Sequence, residues 1–242
     1  MGVKGALAVT LSTKWLNGSD SFICATPSQS VSSCRKLRTY PSSERGVDIT
    51  VIDAVLASCA TPDRFDPLKV IPLAVGRRGT GPANGDGIGN EHEAQELISA
   101  EITLPNPAWE AIKELHATYG PDRRVACVLS LGSGRPAVIR ASSLQNTSHD
   151  TANTMAILQA ERTAEELDGQ IGRSQVYYRF SVDHGLESPE SVSLRNLGDI
   201  ETHTQAYLQQ RSTGYVLDRS ITASEHVGLV TTKDICMSLL TT

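Results

Sequence analysis

A serine set between two glycines, Gly132-Ser133-Gly134, follows the continuous β-prone apolar run Val125–Leu131. A hydroxyl exposed on a tight turn after a strand is a candidate nucleophile for acyl transfer, in which nearby backbone N–H groups hold the developing oxyanion. The pattern is incomplete. No Gly-x-Ser-x-Gly occurs in the chain, and the following Arg135-Pro136 starts a helix poorly, so Ser133 is expected to be structural. Asp86-Gly87-Ile88-Gly89 lies in a glycine-rich polar stretch, Gly76–Asn90, and reads as a turn. That stretch has no Lys-Ser or Lys-Thr after its glycines and no Gly-x-Gly-x-x-Gly, so it lacks the parts of a phosphate cradle.

Metal and thiol chemistry fare no better. Glu91-His92-Glu93 has only distant partners in His116 and His149, adjacent residues diverge on a helix, and no His-Glu-x-x-His is present. The cysteines, Cys24, Cys34, Cys59, Cys127 and Cys236, form no Cys-x-x-Cys pair and read as free thiols of a reducing compartment. His184 and His203 have no identifiable nucleophile to serve as base for. No metal, no cofactor and no self-contained catalytic set is expected.

The elements that would position such groups belong to an ordinary folded chain. Its 242 residues are 39% hydrophobic, enough for a sizeable core. Basic residues number 22 against 27 acidic, interspersed, so the concentrated positive face that nucleic acid requires is missing. The densest basic cluster, Arg35, Lys36 and Arg38, reads as a solvated strand face. The apolar residues within Met1–Leu16 are too few to span a bilayer, and Ala6 breaks the myristoylation pattern; the expected location is the cytoplasm.

Periodicity predicts strands at Phe22–Thr26 and Lys36–Tyr40, then a helix over 48–60 with Asp48 as its cap and Val51, Ile52, Val55, Leu56 and Cys59 at helical spacing. Leu97–Ile102 reads as a strand. Asn106-Pro107 opens a helix whose stripe is Ala108, Ile112 and Leu115. Val125–Leu131 has the composition of an interior strand covered on both faces, which implies an α/β layered core. A polar stretch from about Arg140 to Asp150 suggests a boundary. Beyond it lie a helix over 151–168, an alternating strand over 176–182 with Tyr177, Arg179 and Ser181 on one side, a helix through Ile200–Leu208 and a last one at Ile235–Leu240.

Several phrases, in order, are similar to the fungal branch of the patatin-like phospholipase (lipid acyl hydrolase) family. They are Phe22-Ile-Cys-Ala-Thr26, Leu37-Arg-Thr-Tyr40, Ile52-Asp-Ala-Val-Leu-Ala-Ser-Cys-Ala-Thr-Pro62 and Phe65-Asp-Pro67. The strongest pair is Leu104-Pro-Asn-Pro107-Ala-Trp-Glu-Ala-Ile112 followed by Val125-Ala-Cys-Val-Leu-Ser-Leu-Gly-Ser-Gly134. Glu161–Leu167, Tyr177–Leu186 and Leu197–Leu208 resemble the extension of fungal members. The resemblance covers roughly residues 20 to 210.

The resemblance implies ester hydrolysis by a Ser-Asp dyad and a three-layer α/β/α core. It also implies that this chain has neither dyad member. The serine elbow and the glycine-rich oxyanion loop lie N-terminal to the matched segments in the family, so residues 1–140 are expected to form an incomplete core lacking its first strands, and 141–242 a mainly helical extension. The aspartate position falls on Ser99, which has no accessible anionic form near neutral pH; Glu101 is two residues away and would share its face in a strand. The chain is thus expected to be a non-catalytic member that contacts acyl lipid or a membrane surface, with an exposed sheet edge for a protein partner. The alternative is part of an active hydrolase whose nucleophile lies in a missing N-terminal segment.

Overall fold

In the computed structural model the longest described strand is β2 (Ser19–Pro27), and three other strands pair with it. The structure describes residues 9–12, 19–42, 47, 49–61, 65–71, 94–134, 148–183, 197–228 and 230–238. The described elements are mixed α/β, and the chain divides into two compact units, Ala8–Leu104 and Pro105–Thr242. The expected boundary near 140 does not coincide with this division, because strands from either side of it pair with each other.

In the first unit, β1 (Val9–Ser12), β3 (Arg35–Arg38) and β5 (Gln95–Ser99) all pair with β2, and β4 (Leu68–Val70) pairs with β5. Phe22 faces both Val9 and Arg38, and Ala25 faces both Arg35 and Ser99, so β1 and β5 share one edge of β2 while β3 takes the other. Every pairing is antiparallel. Helix α1 (Val51–Cys59) packs on β2, β4 and β5, over a core of Ala25, Leu37, Ala57, Val70 and Leu97. Thr26, buried on β2, meets its polar obligation through a 2.7 Å hydroxyl pair with Thr103.

The helical spacing of α1 is as expected, but its orientation is not the one a large-apolar stripe suggests. Ala57 and Ser58 are buried, with Ala54 packed on the same core, whereas Val51, Ile52, Val55 and Leu56 are 73%, 71%, 49% and 52% exposed. Its cap is Thr50; Asp48 lies outside the described residues. The Thr50 hydroxyl accepts from Asp53 N–H at 3.1 Å, and the Asp53 carboxylate accepts from Thr50 N–H at 2.9 Å, a complete capping box.

In the second unit the Asn-Pro turn leads into α2 (Ala108–Tyr119), then β6 (Arg124–Val125), β7 (Val128–Leu131) and the long α3 (Ser148–Ile171). A single 3-10 turn, Gly172–Ser174, joins α3 to β8 (Tyr177–Phe180). Then come α4 (Leu197–Leu208), α5 (Arg211–Glu225), β9 (Val230–Thr231) and α6 (Thr232–Ser238). The expected single interior strand Val125–Leu131 is two strands with different partners: β6 pairs antiparallel with β9 and β7 pairs parallel with β8. Leu129 and Leu131 are exposed, so β7 is not covered on both faces. A parallel pair needs a long crossover, and α3 lies within it. The core gathers Ala108, Ile112, Val125, Leu167, Ile171, Val176, Tyr177 and Ile235. Gly228 sits so close to the Val125 carbonyl that any side chain there would collide with backbone. Helix α5 escapes periodicity analysis because the only side chains it buries are small and polar, Thr213 and Ser220.

The capping box generates a pH prediction. Hydrogen bonds from the Thr50 hydroxyl and backbone N–H hold the Asp53 carboxyl below its ordinary value of 3.8. Its contribution is therefore fully present above pH 3.8 and is lost as pH falls through the lower folded value. Thr50→Ala should cost about 1 kcal/mol in urea denaturation at pH 7. The stability gap between wild type and Asp53→Asn should close as the pH is taken below that window.

Candidate functional site

Among the described residues, Ser133, Ser99 and Glu101 do not assemble a nucleophile and base. Ser133 is exposed on irregular chain after β7 and makes no hydrogen bond among the described residues. Ser99 ends β5, is buried, and its hydroxyl accepts from Glu101 N–H at 3.2 Å. Glu101 lies in a turn beyond the strand, where its carboxylate accepts from the Thr61 hydroxyl at 3.4 Å, so it does not share the face of Ser99. Asp86, Glu91-His92-Glu93 and His184 lie outside the described residues. His116 pairs through Nδ1 with the buried Thr232 hydroxyl at 3.3 Å; His149 is on α3 and His203 on α4. Among the described residues no three His, Cys, Asp or Glu side chains form a metal-binding group. All the cysteines are free and half-buried, and burial pushes the Cys127 and Cys236 thiols above their ordinary 9.0, away from nucleophilic reactivity.

Polar chemistry concentrates elsewhere, within the second unit. Asn106 is buried at the start of α2, where its side-chain oxygen accepts from Ala108 N–H at 3.3 Å and its amide donates to the Ala160 carbonyl of α3 at 3.1 Å. The helix proper begins one residue later than expected, at Ala108, with Pro107 as its cap residue. The Ser130 hydroxyl of β7 donates to the Asn106 oxygen at 3.4 Å and accepts from Arg179 Nη1 of β8 at 2.9 Å. Arg179 Nη2 in turn binds the Glu161 carboxylate of α3 at 3.0 Å. With side-chain exposures of 13% and 25%, this ion pair is largely withdrawn from water.

Arg179 and its neighbours line a cleft of about 440 Å³ bounded by α3, β8, α4 and α5. The alternating row Tyr177, Arg179, Ser181 forms one wall of this cleft, with Tyr177 6% exposed and Ser181 8%. Four buried side-chain atoms lack a partner among the described residues, and three belong to this row: Tyr177 OH, Arg179 Nε and Ser181 Oγ. The Ser181 backbone N–H donates to the Tyr207 hydroxyl of α4 at 3.3 Å. Gln175, in the left-handed region at φ 55°, turns the chain into β8, and its carbonyl accepts from the Tyr178 hydroxyl at 2.7 Å.

This geometry also explains the first glycine of Gly132-Ser133-Gly134. A Cβ at 132 would lie 2.6 Å from Ser181 Oγ and 2.9 Å from both Ser181 Cβ and Arg179 Nη2. Glycine is there for close approach of β7 to β8, with Gly132 N–H donating to the Phe180 carbonyl at 2.7 Å.

No protein family, curated protein or solved structure matches the chain.

The buried pair should be far more costly to break than an exposed one. Glu161→Ala leaves the Arg179 charge uncompensated and is expected to cost about 3 kcal/mol. Glu166→Ala removes the exposed Arg162 pair on the same helix and should cost less than about 0.5 kcal/mol. Chemical denaturation of both variants measures the difference; equal effects would refute the role given to Arg179. Gly132→Ala should destabilise by about 1–3 kcal/mol through overpacking.

Proposed function

We propose that this chain is a patatin-like relative that contacts acyl lipid without hydrolysing ester bonds itself. The observation carrying the reading is at Ser99, the position that the resemblance gives to the dyad aspartate. Its hydroxyl is engaged by the Glu101 N–H, and the Glu101 carboxylate is turned to Thr61 rather than replacing the missing base. The absence of any Gly-x-Ser-x-Gly supports the same conclusion. Loss of a nucleophile of this kind costs about 10⁴ to 10⁶ in rate, because dyad members act as a unit.

The anchoring of Asn106 between α2, β7 and α3 agrees with a structural part for the Asn-Pro turn, whose loss would disturb packing before chemistry. Lipid contact is assigned to the outer face of α1, where Val51, Ile52, Val55 and Leu56 form a contiguous apolar surface. Among the described residues no helix is long and apolar enough to cross a membrane.

Two measurements test this. The chain should resist covalent labelling by a fluorophosphonate probe and show no turnover of a short-chain nitrophenyl ester; labelling of any residue, or hydrolysis lost in Ser133→Ala, overturns the non-catalytic reading. Phosphatidylcholine vesicles should co-sediment the chain, and Ile52→Glu with Val55→Glu should abolish this. Failure to co-sediment removes the lipid assignment.

A further inference from the structure

The placement of charge around α1 decides what kind of lipid surface its outer face can meet. Val51 and Ile52 in the first turn and Val55 and Leu56 one turn on are all exposed, and none of the four side chains carries a polar atom. Asp53 is the single charged residue of the helix, and its last turn has no basic residue. Hydrogen bonds from Thr50 favour the ionised form of that carboxylate. Asp66, exposed, follows a few residues beyond the helix end.

The register of the sheet carries the cations elsewhere. Leu37 on β3 and Leu68 and Val70 on β4 turn to the core that α1 covers. Side chains alternate along a strand, so Lys36 and Arg38 on β3, and Lys69 on β4, project from the opposite side of the sheet. The Lys69 ammonium lies 3.9 Å from the carboxylate of Glu96, its cross-strand neighbour, in keeping with that side. Arg35 has the parity of Leu37, but its Nε donates to the Gln95 side chain at 3.2 Å. Among the described residues of this unit, α1 thus has carboxylates near it and the lysines behind the sheet.

A basic residue close to an anionic bilayer tightens binding by about fivefold. Helix α1 brings none, and its carboxylate is repelled by such a surface. Specific protein partners are gripped chiefly through Trp, Tyr and Arg, which α1 also lacks. A short aliphatic face of this kind matches the boundary of an acyl phase, into which an amphipathic helix buries its apolar side by about 5–10 Å.

Resting on the lipid contact already assigned to α1, we propose that its partner is an electrically neutral phospholipid surface of the phosphatidylcholine class, entered by apolar insertion, with the side of the sheet that carries Lys36, Arg38 and Lys69 turned away from it.

Co-sedimentation of the full chain is measured with phosphatidylcholine vesicles and with vesicles containing about 30 mol% phosphatidylserine, each at about 50 and about 500 mM NaCl. Affinity for the neutral vesicles is expected to equal or exceed that for the mixed ones and to change by less than about twofold with salt. Lys36→Gln combined with Lys69→Gln should leave both values unchanged, whereas Ile52→Glu with Val55→Glu should abolish binding. A preference of more than about threefold for the phosphatidylserine vesicles, loss of binding at high salt, or weaker binding of the double lysine variant overturns the neutral-surface assignment while lipid contact stands. No sedimentation with either vesicle, or a lipid-free dimer that the glutamate variant dissolves, removes the lipid contact and this assignment with it.

Discussion

A guanidinium nearly closed off from water must have its charge met, and that requirement at Arg179 organises the unit spanning Pro105–Thr242. Its two terminal nitrogens reach different segments, Ser130 on β7 and Glu161 on α3, while Ser130 passes the connection to Asn106 at the head of α2. Asn106 closes the circuit by binding the carbonyl of Ala160, the residue before Glu161. Segments separated by many residues are thereby tied by directional bonds, each with a defined donor and acceptor. Apolar packing of Ile112, Leu167, Ile171 and Tyr177 supplies cohesion, but it does not select which polar atoms meet.

The unit spanning Ala8–Leu104 rests on a different principle. Its described strand pairings are all antiparallel, and α1 contributes only alanines to a core whose larger side chains, Leu37, Val70 and Leu97, come from the sheet. The small inward residues of α1 leave its bulky ones outside. Hence a helix with a strong apolar pattern carries much of that pattern away from its own core.

Local signals in the sequence located many elements and fewer of their relations. Strands β2 and β3, helices α1 to α4 and the α6 segment follow from periodicity, turn residues and caps, all of which act within a few residues. The division of Val125–Leu131 was not legible, because it is imposed by β8 and β9 from far along the chain. Helix α5 was not legible because it buries hydroxyls in place of a stripe. At the candidate site, Asn106 announced itself as a cap, while for Arg179 the alternation gave a row of the strand but no partner; only its distant partners Ser130 and Glu161 make burial of that charge tolerable.

The absent side chain at position 132 has a bearing on how this protein can vary. A methyl group there would strike Ser181 and Arg179 together, and the Ser181 Cβ cannot swing aside without moving the strand that carries it. Substitutional freedom around the ion pair is therefore one-sided: shortening Ser181 would relieve the crowding, whereas the backbone opposite it has room for glycine alone. A variant that enlarges this spot has to be preceded by one that shrinks its neighbour, which makes the order of mutations, and not only their sum, a property of the fold.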